Sequence, residues 1–123
     1  MRNTNIMRIC ALTLLALVPA VMPVAAHAVL LESTPAKDAV VHGPALSVRL
    51  RFNSRIDAPR SRLALVRPDG SSETLKIPEQ ATQDTLSGEA TGLKPGSYKI
   101  RWQVLAADGH ITRGEIPFTV AGN

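Results

Sequence analysis

An aspartate and a histidine stand two residues apart in the turn Asp108-Gly109-His110, which directly follows a segment with a strong strand pattern. Apolar and polar residues alternate along 98–104, as in a β-strand with one buried face. Asp108 and His110 continue the phase of that face, so a tight turn at Gly109 can direct a carboxylate and an imidazole towards one point. Both groups are ligands for divalent transition metals. Asp-Gly is also a common turn sequence of β-hairpins. Asp108 and His110 alone therefore predict either a plain turn or part of a metal site.

Further donors become available at His27 if the chain is cut immediately before it. The α-amino nitrogen and the imidazole Nδ1 of an N-terminal histidine can close a chelate ring on one metal ion. An α-amino group has a reference pKa of about 7.7–8.0, so a metal ion displaces its proton readily near neutral pH. With His110 and Asp108 the donors are three nitrogens and one oxygen, a tetragonal set that suits Cu(II) or Ni(II). Cu(II) leads the affinity order of the divalent ions, and zinc tolerates the same ligands but prefers a tetrahedron. We therefore predict a site for one Cu(II) ion formed by His27, Asp108 and His110.

The first 26 residues predict a secretory signal peptide that would expose His27. Residues 1–8 carry two arginines and no acid, 9–18 are apolar, and 24–26 offer small residues for cleavage. The apolar run is short for a membrane-spanning helix, which argues against an uncleaved anchor. Cleavage after Ala26 leaves 97 of the 123 residues as one domain, 27–123. A cut after Ala28 also fits the small-residue pattern and would remove the histidine.

Sulfur ligands are not expected in the exported domain. The only cysteine of the chain, Cys10, and all three methionines lie within the first 26 residues, whereas all three histidines follow them. The domain therefore has no disulfide. A blue-copper centre, which needs a cysteine thiolate, and a methionine-rich Cu(I) site are both excluded.

The charge of the chain gives little indication of a macromolecular partner. Lysine and arginine total 14 against 10 acidic residues, a net charge of +4. Arg2 and Arg8 belong to the predicted signal peptide, so the domain itself carries about +2. Arginines such as Arg49 and Arg51 alternate with apolar residues, as on the solvent face of a strand. Aromatic residues make up 3% of the chain, too few for base stacking, so no nucleic-acid partner is expected.

Short strands separated by turn signals every eight to twelve residues must position these groups. The alternation of apolar residues predicts seven strands, at 28–31, 46–52, 61–66, 73–77, 85–90, 97–106 and 115–120, with 37–44 as a loop. No convincing amphipathic helix is present. The pattern predicts an all-β fold, a seven-stranded antiparallel Greek-key β-sandwich of the immunoglobulin-like kind. Pro117 in the last strand argues for an edge position or a bulge.

Two aromatic residues add detail to this sandwich. Tyr98 follows the turn 95–96 at the start of a late strand, which is the setting of a tyrosine corner. Its hydroxyl is expected to hydrogen-bond backbone a few residues upstream. We expect Trp102 in the core between the sheets, with packing close to a functional site as the alternative.

Several segments together resemble the CopC family of periplasmic copper-binding proteins, including its YobA-type members. They are 27–36, 48–52, 93–98, 102–110 and 114–120, which span essentially the whole chain after residue 26. The histidine start and the later Asp-Gly-His are the most specific part. The resemblance implies a cupredoxin-like β-sandwich, a Cu(II) site at His27, Asp108 and His110, and a role in copper resistance or uptake. It also implies a possible inner-membrane partner of the CopD type, and it favours cleavage after Ala26.

The chain departs from the family pattern in two ways. Some members carry a methionine-rich Cu(I) loop, whereas this chain has no methionine after Met22. Some have a second histidine two places after the first, where Val29 stands here. His42 lies in a loop with no matching ligand, and we expect it at the surface.

Three functions are consistent with these residues. We favour a non-catalytic, monomeric Cu(II) carrier or buffer in the periplasm. A small copper oxidase or monooxygenase would use the same N-terminal histidine chelate, but 97 residues with few aromatics leave little room for a substrate face. In a non-metal β-sandwich interaction module the histidines would be incidental.

Overall fold

The computed structural model describes residues 16–19 and 27–122, and every regular element within them is a β-strand. Eight strands follow one another: β1 Leu30–Thr34, β2 Ala39–Val41, β3 Leu46–Phe52, β4 Ile56–Val66, β5 Ser72–Leu75, β6 Thr85–Ala90, β7 Gly96–Ala106 and β8 Ile111–Val120. The predicted signal peptide, 1–26, lies outside the described residues apart from 16–19. In the described segments we find no helix with the length and hydropathy that a bilayer crossing requires.

The strands form two sheets packed as a β-sandwich, which confirms the predicted fold class. The smaller sheet has the order β1-β3-β6 and the larger the order β2-β8-β7-β4-β5. Inward-facing side chains from both sheets form one core, because alternate residues of each strand point between the layers. Strand β7 shows the pattern most clearly: Tyr98, Ile100, Trp102 and Val104 are each at most 6% exposed.

The tyrosine corner is present as predicted. The hydroxyl of Tyr98 donates to the backbone carbonyl of Lys94 (2.7 Å) and accepts the backbone N–H of the same residue (2.9 Å). Its ring is buried and stacks on Phe118 with 5.5 Å between the ring centroids. This arrangement fixes the segment that leads into β7.

The structure has eight strands where the sequence predicts seven. The additional strand is β2, inside the predicted loop 37–44. It pairs in parallel with β8, with Ala39 opposite Phe118 and Val41 opposite Val120, so the sandwich is not purely antiparallel. A three-residue strand is too short for its alternation to be recognised, and the turn residues that follow it obscure it further.

Strand β4 is longer than predicted. It begins at Ile56 and passes through Pro59, with an irregular register between Asp57 and Arg62. The irregularity accommodates a proline, which has no N–H for a ladder. The edge position suggested by Pro117 is wrong, because β8 lies between β2 and β7. The carbonyl of Pro117 accepts the N–H of Asp38, directly before β2. The N–H that proline lacks would point to that same side, away from β7.

The strand register brings the start of β1 and two loops to one end of the sandwich. In the larger sheet Ile56 pairs with Ala106, and Leu105 pairs with Ile111 across the turn between β7 and β8. In the smaller sheet Leu30 pairs with Phe52, the last residue of β3. The start of β1, the β3–β4 loop (53–55) and the β7–β8 turn (107–110) therefore lie at the same end.

Packing between β7 and β8 generates a prediction about Gly114. This residue lies opposite Trp102, and a methyl group on it would be 2.8 Å from the indole nitrogen. The indole is buried against Phe52, with 5.3 Å between ring centroids, so it cannot move aside without disturbing the core. We expect Gly114→Ala to reduce the free energy of unfolding by about 1–3 kcal/mol and the melting temperature by several degrees.

Gly122→Ala is the control, because its methyl group would meet nothing closer than 3.9 Å. Thermal unfolding followed by circular dichroism measures both variants. Equal melting temperatures would contradict the tight packing of Trp102 on β8.

Candidate metal centre

His27 stands one residue before the first core side chain. Ala28 is 1% exposed and belongs to the hydrophobic core. The next residue is fixed through its backbone: the N–H of Val29 donates to Oδ1 of Asn53 (2.8 Å), and its carbonyl accepts the N–H of Asn53 (3.0 Å). The backbone that carries His27 is therefore held on its C-terminal side by a buried methyl group and two hydrogen bonds.

Asp108 and His110 belong to a tight turn between β7 and β8. The N–H of Ala106 donates to the carbonyl of His110 (2.8 Å), and the N–H of Gly109 donates to the carbonyl of Ala106 (2.9 Å). Gly109 has φ +88°, which a residue with a Cβ adopts only with strain. The Asp108 carboxylate accepts the backbone N–H of His110 through Oδ1 (3.0 Å), so the side chain closes the turn.

The carboxylate of Asp108 also contacts the imidazole of His110. Its Oδ2 lies 3.0 Å from Nδ1 of the ring. The backbone N–H of His110 lowers the pKa of Asp108 below its usual value, and the His110 ring and, more weakly, His27 act in the same direction. The side chain is thus a carboxylate at neutral pH. Each carboxylate oxygen has two lone pairs, so accepting these hydrogen bonds leaves capacity for a metal ion.

The two histidines that the sequence singles out meet at this end of the sandwich. The ring centroids of His27 and His110 are 4.9 Å apart, with the planes inclined at 70°. The side chain of His110 is 51% exposed and that of Asp108 26% exposed, so an ion can approach from solvent. Contact between the N-terminal segment and the β7–β8 turn is not evident from the sequence, and the structure supplies it.

The donors at this end of the sandwich match a metal ion in type but do not surround one point. In the described part of the chain, no three side chains of His, Cys, Asp or Glu are already arranged around a common point. Two imidazoles and a carboxylate are nevertheless adjacent. In the unprocessed chain the nitrogen of His27 is a peptide amide, so the fourth donor appears only if the chain is cut before this residue. The residues present fit a cation that accepts nitrogen and oxygen ligands, and their role as ligands stays a prediction.

The β3–β4 loop is a part of this region that the sequence analysis missed. It lies between the two halves of the candidate site, with Asn53 bonded to Val29 and the carbonyl of Arg55 accepting the N–H of Ala107 (3.1 Å). Asparagine after a strand is an ordinary turn signal, so nothing in the sequence marks Asn53 as a contact of the N-terminal segment.

His42 is exposed, as expected, and lies far from this centre. It follows β2, whose last residue, Val41, pairs with Val120 at the far end of β8. Ile111, next to His110, is at the near end, and ten residues of strand span about 30 Å.

The sequence is similar to known proteins over most of its length. The family model for the CopC domain matches residues 30–121, beginning three residues after His27. Protein YobA of Escherichia coli K12 is 33% identical over 98 residues, covering 77% of this chain and 79% of the relative.

Solved structures resemble the chain as well. CopC from Methylosinus trichosporium OB3b superposes with a TM-score of 0.68 at 29% identity, covering 76% of this chain and 93% of that one. PcoC, a methionine-rich copper resistance protein from Escherichia coli, superposes with a TM-score of 0.61 at 24% identity. The match covers 78% of this chain and 100% of PcoC. At this low identity, the similarity to PcoC supports the fold alone.

The turn conformation makes a prediction about Gly109. A Cβ at this position would have nothing within 4 Å, so any cost of a substitution comes from the positive φ alone. We expect Gly109→Ala to lower the free energy of unfolding by about 1 kcal/mol, and Gly109→Asn by less, because asparagine enters the left-handed region more readily. Urea unfolding of the two variants measures the difference. A larger loss for the asparagine variant would show that side-chain bulk, not backbone conformation, governs the turn.

Proposed function

This chain belongs to the CopC family, and on that basis we propose that it is a periplasmic Cu(II)-binding protein of copper resistance or copper uptake. Copper is its cargo, one ion per chain, and the protein acts as a carrier or buffer without catalysing a reaction. Residues 1–26 act as the signal peptide in this proposal, and cleavage after Ala26 produces the binding form.

The observation that carries the proposal is the meeting of His27 and His110. Their rings are 4.9 Å apart, and the Asp108 carboxylate is 3.0 Å from one of them. The three residues come from two distant parts of the chain and share an exposed end of the sandwich. Both histidines are exposed and outside the hydrophobic core, so packing of the core does not account for their contact.

Each residue has a defined part in binding. The imidazole and the new α-amino group of His27 would form a chelate, and the ring of His110 would provide the third nitrogen. Asp108 would complete the set as the oxygen donor, and the backbone N–H of His110 holds the pKa of this carboxyl below its usual value. A carboxylate also orients an imidazole by accepting its ring N–H, a frequent partner of metal-bound histidine.

Release follows from the same donor set. Protonation of the nitrogens competes with the metal. Reduction weakens binding, because Cu(I) prefers soft sulfur ligands and residues 27–123 contain neither cysteine nor methionine. This distinguishes the chain from PcoC, which is described as methionine-rich. A CopD-type protein of the inner membrane is the proposed acceptor or donor.

The first prediction of this function concerns the N-terminal amino group. The processed protein should bind one equivalent of Cu(II) in competition with a chelator of known affinity. One extra residue before His27 should weaken binding at least tenfold, because the ring remains but the amino nitrogen becomes an amide. His110→Ala should weaken Cu(II) binding comparably. The double variant His27→Ala/His110→Ala should take no Cu(II) from the competing chelator.

His42→Ala is the matched control, since it removes the other histidine of the domain, far from the candidate site. Its Cu(II) affinity should equal that of the unmodified protein. Unchanged Cu(II) binding in the double variant His27→Ala/His110→Ala would contradict the proposed site and favour a protein without a metal function.

A second prediction concerns the oxidation state of copper. Without sulfur ligands the protein should hold Cu(I) far more weakly than Cu(II). Adding ascorbate to the copper-loaded protein together with a Cu(I)-specific chromophoric chelator should transfer the metal to the chelator. Similar retention of the two oxidation states against matched chelators would refute the proposed release by reduction.

A further inference from the structure

We propose that Asn53 is a positioning residue of the copper site, holding the N-terminal segment so that His27 stays beside His110. The inference rests on the proposed function and extends it to a residue outside the ligand set. Asn53 would not contact the metal, and its effect would pass through the backbone of Val29.

Asn53 makes two hydrogen bonds to one residue of the N-terminal segment. Its side-chain Oδ1 accepts the N–H of Val29 (2.8 Å), and its own N–H donates to the carbonyl of Val29 (3.0 Å). The two bonds fix both position and direction of the backbone two residues after His27. Since Asn53 is exposed and outside the hydrophobic core, packing does not account for it.

The same loop also fixes the other half of the site. The carbonyl of Arg55 accepts the N–H of Ala107, at the start of the turn that carries Asp108 and His110. The β3–β4 loop thus bonds to both segments that supply the ligands, and its two contacts are only two residues apart.

The ends of this loop are themselves anchored. The N–H of Phe52 donates to the carbonyl of Asp84 (2.9 Å), and the N–H of Ile56 donates to the carbonyl of Gln83 (2.9 Å). A loop whose two ends are anchored can hold the segments that are hydrogen-bonded to it at a constant distance from each other. In this arrangement the separation of His27 and His110 depends on the short path from Asn53 to Arg55.

The physical benefit is a lower entropic cost of binding. The first residues of a chain are usually poorly ordered unless something ties them down. If the segment is not ordered beforehand, the entropy lost in ordering it reduces the free energy of binding a metal to both the N-terminus and His110. Two bonds at Val29 order it beforehand, so loss of Asn53 should weaken Cu(II) binding by about fivefold, the equilibrium effect of one net hydrogen bond.

The test uses the full chain expressed with its own leader and recovered from the periplasm, with intact mass confirming a start at His27. Asn53→Ala should bind Cu(II) about fivefold more weakly in chelator competition. Asn53→Asp keeps the acceptor oxygen and should retain most of the affinity. In Asn53→Gln the amide oxygen is displaced by one methylene, so this variant should also bind Cu(II) about fivefold more weakly. It takes the place of Asn53→Ala if the alanine variant does not fold.

Asp69→Ala is the matched control. It removes a comparable side-chain acceptor for a loop N–H, that of Ser71 (2.9 Å), in the β4–β5 turn. That turn follows Val66, which pairs with Lys99 at the end of β7 remote from Ala106. Its Cu(II) affinity should match the unmodified protein, which separates a general loosening of loops from a specific effect at the site.

A double-mutant cycle distinguishes positioning from a general structural role. If Asn53 works by joining the His27 and His110 ends, then Asn53→Ala should have no effect on Cu(II) affinity once His110 is alanine. The nitrogen hyperfine pattern in the Cu(II) EPR spectrum should also show partial loss of one nitrogen donor in the Asn53→Ala single variant. Equal losses of affinity in both backgrounds would overturn the inference.

The two proposals fail in different ways. If the unmodified protein binds Cu(II) and His110→Ala weakens it while Asn53→Ala does not, the positioning role is wrong and the proposed function stands. If the unmodified protein does not bind Cu(II), or His110→Ala binds equally well, the proposed function falls and the positioning role falls with it.

Discussion

At the end of the sandwich that holds the candidate site, the structure depends on contact between the segment that begins at His27 and the turn between β7 and β8. His27 and His110 lie far apart in the sequence, yet their rings are 4.9 Å apart. The strand register produces this meeting: β1 runs antiparallel to β3, and β4 runs antiparallel to β7, so the start of β1 and the end of β7 reach the same end of the sandwich. The β3–β4 loop bonds to both. The sheets provide a rigid frame, and the predicted ligands lie at its exposed end.

The chemistry available at that edge is limited by composition. Residues 27–123 contain no sulfur, so the donors are imidazole nitrogen, carboxylate oxygen and, after cleavage, an amino nitrogen. Such donors suit Cu(II) and hold Cu(I) poorly. In the proposed function proteolysis supplies one of the donors, which would couple binding to export. In the proposed function the precursor lacks the chelate and the processed protein has it.

Much of the fold could be predicted from the sequence because burial follows the period of two. The bounds of β3 and β6 match the alternating segments, and Tyr98 forms the predicted corner. Strand β2 was missed because three residues show no period, and the start of β4 was missed because Pro59 and an irregular register obscure it. In these cases local irregularity, and not the core pattern, determined the strand bounds.

The candidate site could be predicted only in part. The residue types of Asp108 and His110, and the resemblance to a family, pointed to the three residues. That His27 contacts His110 follows from tertiary register, which no local pattern encodes. Asn53 could not be found in advance, because its two bonds to Val29 join segments that only the folded sandwich brings together. Polar loop contacts of this kind leave no periodic signal in the chain.

Native mass spectrometry of the exported protein, with and without added Cu(II), addresses the central claim most directly. One spectrum gives both the first residue and the number of bound ions. We predict a chain that starts at His27 and gains the mass of a single copper ion. A chain that starts at Val29, or one that starts at His27 and gains no copper, would contradict the proposed origin of the binding site.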